Sequence, residues 1–160
     1  MSITVRRLRP DETRTYLEIH RASVRGIAAR DYPTEIIDAW APVPVTDAAV
    51  EAAMANPNRE IRVAAIADGQ IVGIGAVVPR NLELRACYVL PAAARAGVGR
   101  TIVSELENIA RREDAAFLTL ESSLTAQPFY EAMGYKLIEM GEHLLGAGLP
   151  MACAKMRKDL

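Results

Sequence analysis

The sequence predicts a mixed α/β (α+β) domain, and three observations carry that expectation. Short apolar or alternating segments of strand period are interleaved along the chain with amphipathic segments of helical period. One apolar segment, residues 82–90, passes through Pro91 and a small-residue turn into Gly97-Val98-Gly99-Arg100, where an amphipathic helix begins at once. The chain has 160 residues, 51% of them hydrophobic, which supplies one sizeable core and leaves no spare length for a second. No repeat, low-complexity tract or interdomain linker interrupts it, so residues 1–160 are expected to form a single domain.

The elements follow in order. Ile3-Thr4-Val5-Arg6 alternates as a strand, and Asp11, after Pro10, is a good N-cap for a first helix running toward Arg30. Pro33-Thr34 opens a short helix over residues 36–40 that Pro42 ends. Thr46 caps a third helix through Met54, closed by Asn56-Pro57. Residues 61–67 and 70–79 read as strands around Asp68-Gly69, a two-residue hairpin turn. After the strand 82–90, a long helix reaches about Arg112. Its stripe is Ile102, Val103, Leu106, Ile109 and Ala110, with Glu105, Glu107, Asn108 and Arg111 off it. Residues 117–121 form another strand. Thr125 then caps a helix that accommodates Pro128 in its first turn and stops at Gly134. Strands over 136–143 and 151–157 close the domain.

A helix that begins in glycines leaves its first N–H groups accessible. With the positive end of the helix dipole they suit a phosphate or pyrophosphate. Three readings of the glycines compete. A Walker-type loop needs Lys-Ser/Thr after its last glycine, whereas Gly99 is followed by Arg100-Thr101. A dinucleotide fingerprint needs Gly or Ala where Ile102 stands and wants its glycines directly after the strand. Glu121, at the distance of a ribose-binding acid, keeps that reading open.

The third reading takes in the wider neighbourhood. Tyr88-Val89-Leu90-Pro91, the turn through Gly97-Val98-Gly99-Arg100, and Phe129-Tyr130-Glu131-Ala132-Met133-Gly134-Tyr135 together resemble the GNAT superfamily of acetyl-CoA-dependent N-acetyltransferases. The resemblance covers nearly the whole chain. It implies the GNAT fold: a central, mostly antiparallel sheet of six to seven strands with a V-shaped splay, flanked by about four to five helices. It also implies acetyl-CoA as co-substrate, with the pantetheine arm in the splay against the backbone of Cys87 and Val89. The pyrophosphate would lie on the amides of Arg95, Ala96, Gly97, Val98, Gly99 and Arg100. Thr125, where family members commonly carry Asn, and Phe129, which has a packing role as well, complete the expected cofactor contacts.

The turn departs from the family pattern Gln/Arg-x-x-Gly-x-Gly/Ala. Its first position is Ala94, Arg95 comes one place late, and Ala96 replaces the basic residue often found before the first glycine. Recognition by amides survives these changes, and charge assistance falls to Arg95 or Arg100.

By the same resemblance Tyr130 is the general acid that protonates the departing CoA thiolate, although packing also explains an aromatic there. Glu83, fourteen residues before Gly97, matches the glutamate some members use as general base. Strand period places Glu83, Arg85, Cys87 and Val89 on one face. A solvated strand end, with a water chain as base, is the competing reading of Glu83. The acceptor implied is a primary amine on a small molecule or a peptide, attacked directly in a ternary complex.

His20-Arg21-Ala22-Ser23-Val24-Arg25, Asp31-Tyr32-Pro33 and Trp40 look like a bacterial GNAT subgroup. Tyr32 and Trp40 are candidate walls of the acceptor pocket, and Asp31, Glu35 or Asp38 candidate attractors of a cationic amine. Trp40 lies beside Ile36 and Ile37, so a core role is expected of it, and His20 falls on the apolar stripe of Tyr16 and Val24 as a partly buried, hydrogen-bonded side chain.

A net charge of −1 argues against a general nucleic-acid binder, and no apolar run has membrane length. Residues 1–6 lack the order of a signal peptide, and Cys87 and Cys153 read as buried thiols of a reducing compartment, so the expected location is the cytoplasm. Two histidines and two cysteines without ligand spacing imply no metal. Homodimers are common in the superfamily, usually through the last two strands. A non-catalytic acyl-CoA sensor remains the alternative to the enzyme, kept open by Ala94, Ala96 and Thr125.

Overall fold

The interleaved periodicities resolve into seven strands and five α-helices in the computed structural model, which describes residues 2–160. In chain order these are β1 (Ile3–Arg7), α1 (Thr13–Ile27), α2 (Thr34–Trp40), α3 (Asp47–Ala55), β2 (Ile61–Ala67), β3 (Gln70–Val78), β4 (Glu83–Val89), α4 (Val98–Arg112), β5 (Phe117–Ser123), α5 (Gln127–Ala132), β6 (Lys136–Leu144) and β7 (Pro150–Asp159). One sheet of order β1-β2-β3-β4-β5-β7-β6 contains them all, antiparallel throughout except between β4 and β5. Asp68 and Gly69 both take positive φ, 51° and 77°, as a tight hairpin turn between β2 and β3 requires.

Both faces of the sheet are covered. On one, the α4 stripe of Val98, Ile102, Val103, Leu106, Ile109 and Ala110 joins Val77, Leu84, Leu118, Tyr130, Tyr135 and Met156 in the main core. A Cβ built on Gly75 would lie 2.5 Å from Ile102 Cγ2, so this bare position in β3 lets the helix seat closely on the strand. On the other face α1 and α2 bury Val24, Ile36 and Ile37 with Tyr32 and Met151, and Tyr16 and Ile19 pack on Ile74.

Three local expectations are corrected. Asp11 does not cap the first helix: residues 10–12 form a 3₁₀ turn, Glu12 accepts from the Arg9 N–H at 2.8 Å, and α1 begins at Thr13. The two Arg6–Glu12 contacts of 2.8 Å fix that carboxylate and hold its pKa down to about 2. Thr125 does not cap α5. Its hydroxyl donates to Asp31 Oδ2 at 2.6 Å, while Ser123 Oγ accepts from the Ala126 N–H at 3.1 Å. Glu107 is not off the stripe of α4 but buried in it, receiving the Tyr135 hydroxyl at 2.9 Å and Lys158 Nζ at 2.9 Å. A carboxylate tolerates such burial when it is both paired and hydrogen-bonded.

The edge strand β6 pairs with β7 alone and leaves Leu137, Ile138, Met140 and Leu144 exposed. Among the described residues no helix is long and apolar enough to cross a membrane, and no group of three or more His, Cys, Asp or Glu is arranged to hold a metal ion.

Candidate active site

Parallel strands joined through a helix need not stay paired along their length, and β4 and β5 part almost at once. Their register is a single pair, Glu83 opposite Thr119, closed by the Thr119 N–H to Leu82 carbonyl bond of 2.7 Å. Beyond it the facing edges of the two strands have no partner strand. A cleft of about 240 Å³ opens there.

The strand β4 does not present its residues to the cleft as simple alternation predicts. Ala76 pairs with Ala86, but Val77 pairs with Leu84, so Arg85 is the extra residue of a β-bulge. The inserted residue reverses the phase of the strand. Leu84, Cys87 and Val89 pack toward the α4 core, whereas Tyr88 packs toward α1 and α2. Glu83 therefore does not share a face with Cys87 and Val89; it alternates with Leu84 and falls on the Tyr88 side. Arg85 Nη1 stands 3.4 Å from Glu83, and its Nε stands 3.3 Å from Glu60.

Tyr130 enters the cleft from α5 on the α4 side. Its ring is fixed edge-on between Phe129 and Tyr135, at centroid distances of 5.1 and 5.7 Å. Among the described residues its hydroxyl has no hydrogen-bond partner. Burial raises its pKa well above the ordinary value, so the hydroxyl keeps its proton through the neutral range. Cys87 lies close by, its Sγ 3.8 Å from the Gly99 carbonyl, and burial pushes its thiol up to about 12. Cys153, across the cleft, is raised as well, by burial and then by Glu121.

The glycine turn lies at the start of α4. Gly97 caps the helix with φ +84° and open space around its missing Cβ, and Arg95 also takes positive φ, 63°. Ala94, Arg95, Ala96 and Arg100 are exposed. The first-turn N–H groups of Val98, Gly99 and Arg100 have no carbonyl of the preceding turn to reach. A helix start that is bare, glycine-capped and open to solvent fits a pyrophosphate. Gly99 has a second reason to be glycine, because its Cβ would stand 3.2 Å from the Phe129 ring.

The acceptor side differs from expectation. Trp40 is a partly buried wall of the cleft, edge-on to Tyr88 at 6.3 Å. Tyr32 does not line the cleft: its hydroxyl donates to the Ala152 carbonyl at 2.7 Å and accepts from the Leu124 N–H at 2.8 Å, tying the approach to α2 to the end of β5 and the start of β7. Asp31 binds Thr125, Asp38 pairs with Arg25 at 2.9 Å, and these two and Glu35 lie off the lining. His20 is partly buried as expected, 2.9 Å from Arg21 Nη1 and 4.6 Å from the Tyr88 ring centroid, with its pKa brought down to about 3 by burial and then by Arg21. Glu121 and His143, which sequence reasoning did not place at an acceptor site, line the cleft and meet at 3.0 Å. Only the alternation of β5 hints at Glu121. His143 reaches the site through the pairing of β6 with β7, which no local pattern encodes.

The family model of the acetyltransferase (GNAT) domain matches residues 28–160. No curated protein matches the chain. Among solved structures, a GCN5-related N-acetyltransferase from Rhodopseudomonas palustris is 25% identical with TM-score 0.89, over 100% of this chain and 97% of the other. The PaiA N-acetyltransferase from Thermoplasma acidophilum, in complex with coenzyme A, is 20% identical with TM-score 0.77, over 100% of both chains. A phosphinothricin acetyltransferase from Sinorhizobium meliloti, in complex with acetyl-CoA, is 19% identical with TM-score 0.69, over 100% of this chain and 89% of the other. With a seven-stranded sheet parted between β4 and β5, a glycine-capped α4 beside the opening, and a family match over most of its length, this chain belongs to the GNAT acetyltransferases.

Proposed function

We propose that the protein transfers an acetyl group from acetyl-CoA to a primary amine by direct attack in a ternary complex. The observation that carries this reading is the unpartnered, protonated Tyr130 hydroxyl in the cleft where β4 and β5 separate. The free edge of β4 around Cys87 and Val89 offers main-chain groups to the pantetheine arm, and the helix start at Arg95, Ala96, Gly97, Val98, Gly99 and Arg100 offers amides to the pyrophosphate. Phe129, seated on Gly99, shapes the junction between the two. Thr125 is committed to Asp31 and contributes less than its position suggests.

The thioester arrives activated, so the protein has to align a neutral amine and manage protons. Attack forms the C–N bond, the C–S bond breaks with its electron pair on sulfur, and Tyr130 supplies the proton that sulfur takes. Neither thiol suits a covalent acetyl-cysteine route, since both are held protonated at neutral pH. Glu83, on the acceptor face, adds negative charge that favours an ammonium substrate. The exposed apolar edge of β6 is where a second copy of the chain would pair.

Calorimetric titration with acetyl-CoA, free CoA and NADH, followed by CoA release with a panel of primary amines, tests the reading. Micromolar acetyl-CoA binding without NADH binding, and release with at least one amine, is expected. Binding without release would favour the sensor, and NADH binding a nicotinamide cofactor on the glycine turn. Tyr130→Phe should lower kcat about 100-fold with little change in the acetyl-CoA KM; unchanged turnover would remove the general acid.

A further inference from the structure

Two carboxylates line the cleft, and their surroundings differ. Glu83 is matched by Arg85 at 3.4 Å. Glu121 faces no arginine; its partners are His143 Nδ1 at 3.0 Å and the Cys153 thiol at 3.7 Å. Lys155, opposite Glu121 in the β5–β7 register, leans instead to Glu139 at 3.8 Å. Glu121, Cys153 and His143 share the sheet face of Met151, the side on which Trp40 and Tyr88 wall the cleft.

We propose that Glu121 and His143 form a carboxylate–imidazole couple that takes the proton from the incoming ammonium, with His143 Nε2 as the accepting atom; this rests on the acetyltransferase reading and deepens it. A carboxylate only accepts hydrogen bonds, so the Nδ1 facing Glu121 must carry the proton, and a neutral imidazole then has its lone pair on Nε2. Glu121 fixes the ring and stabilises the imidazolium that forms, while the imidazole is better matched than a free carboxylate to removing an ammonium proton near neutrality. The side chains of His143 and Glu121 are 53% and 42% exposed, so the proton passes on to solvent. Each sits on a strand held in register by β7, which gives the couple a rigid frame.

Protons balance as follows. The ammonium gives one to Nε2 and so to water, a second reaches the thiolate through Tyr130, and the third stays on the amide nitrogen. The charged or titratable groups around the couple are Glu83, Arg85 and Tyr88 from β4, Tyr130 from α5, Cys153 and Lys155 from β7 and Glu142 from β6; α2 contributes Trp40, which carries no charge.

With two histidines in the chain, ¹⁵N imidazole spectra resolve His143 from His20. The wild type should carry the His143 proton on Nδ1, and Glu121→Ala should lose that preference. With acetyl-CoA and a panel of 2-phenylethylamine, spermidine and an alanyl peptide amide, His143→Gln should lower kcat/KM for the amine about 100-fold and leave the acetyl-CoA KM in place. Added imidazole should restore turnover to His143→Ala. Glu121→Ala, acting through His143, should lose about 10-fold. A wild-type proton on Nε2 overturns the couple. So does an active wild type whose His143→Gln variant keeps its rate. A wild type that binds acetyl-CoA and acetylates none of the amines overturns the transferase reading together with the base.

Discussion

Replacing Glu107 by Gln tests whether the buried acid of α4 holds the domain together. The carboxylate is 5% exposed and receives both Lys158 Nζ and the Tyr135 hydroxyl. Removing one partner of a buried ion pair typically costs about 3–5 kcal/mol. Two features lower that figure here. Gln keeps an acceptor for Tyr135, and Lys158 is 23% exposed, so its ammonium regains some water. The expected loss is about 2–3 kcal/mol, or about 5–10 °C in Tm for a domain of this size. Lys158→Met should cost more, about 3–5 kcal/mol, because it strands the less hydrated partner. The double variant should recover much of the combined loss, since neither charge is then left alone. Urea unfolding of the wild type, both single variants and the double variant measures all four corners of the cycle. A Glu107→Gln loss under about 0.5 kcal/mol, or strictly additive losses, would refute the reasoning.

Three further outcomes are expected. His20 titrates near 6.5 in the unfolded chain and about 3 when folded, so the unfolded state alone binds its proton between those values. Stability should fall with decreasing pH through that window by up to about 1.4 kcal/mol per pH unit, with no effect above it, and His20→Phe should flatten the slope. Glu12, with 4.5 as its ordinary value and about 2 when folded, loses its contribution only as pH falls below 4.5. Acid-titrated unfolding separates the two. Cys87→Ala should retain turnover within about threefold, because its thiol holds its proton to about pH 12; abolished turnover with intact acetyl-CoA binding would revive the covalent route.

The elements themselves were legible because they rest on local chemistry. Asp68-Gly69 names its turn, Thr46 caps α3 by accepting from the Ala49 N–H at 3.1 Å, and the α4 stripe announces its buried face. What failed to show in the sequence depends on partners distant in the chain. Glu107 reads as a surface residue until Lys158 and Tyr135 arrive, and Thr125 reads as a cap until Asp31 claims it. The acceptor side was the least legible part, since Glu121 and His143 meet through the register of three strands. Tyr130 and the glycine turn stood out because their spacing survives in one short stretch each.

The bulge at Arg85 gives β4 one residue more than its ladder with β3 uses. On one side of the extra residue the strand gives its even-numbered positions to α4; on the other it gives its odd-numbered ones. Deleting Arg85 would join Leu84 to Ala86 in plain alternation, so Leu84 would stay with Cys87 on the α4 face and Glu83 on the acceptor face. The assignment of faces therefore does not depend on the extra residue, and what it adds to β4 is a local bend and an arginine set between Glu83 and Glu60.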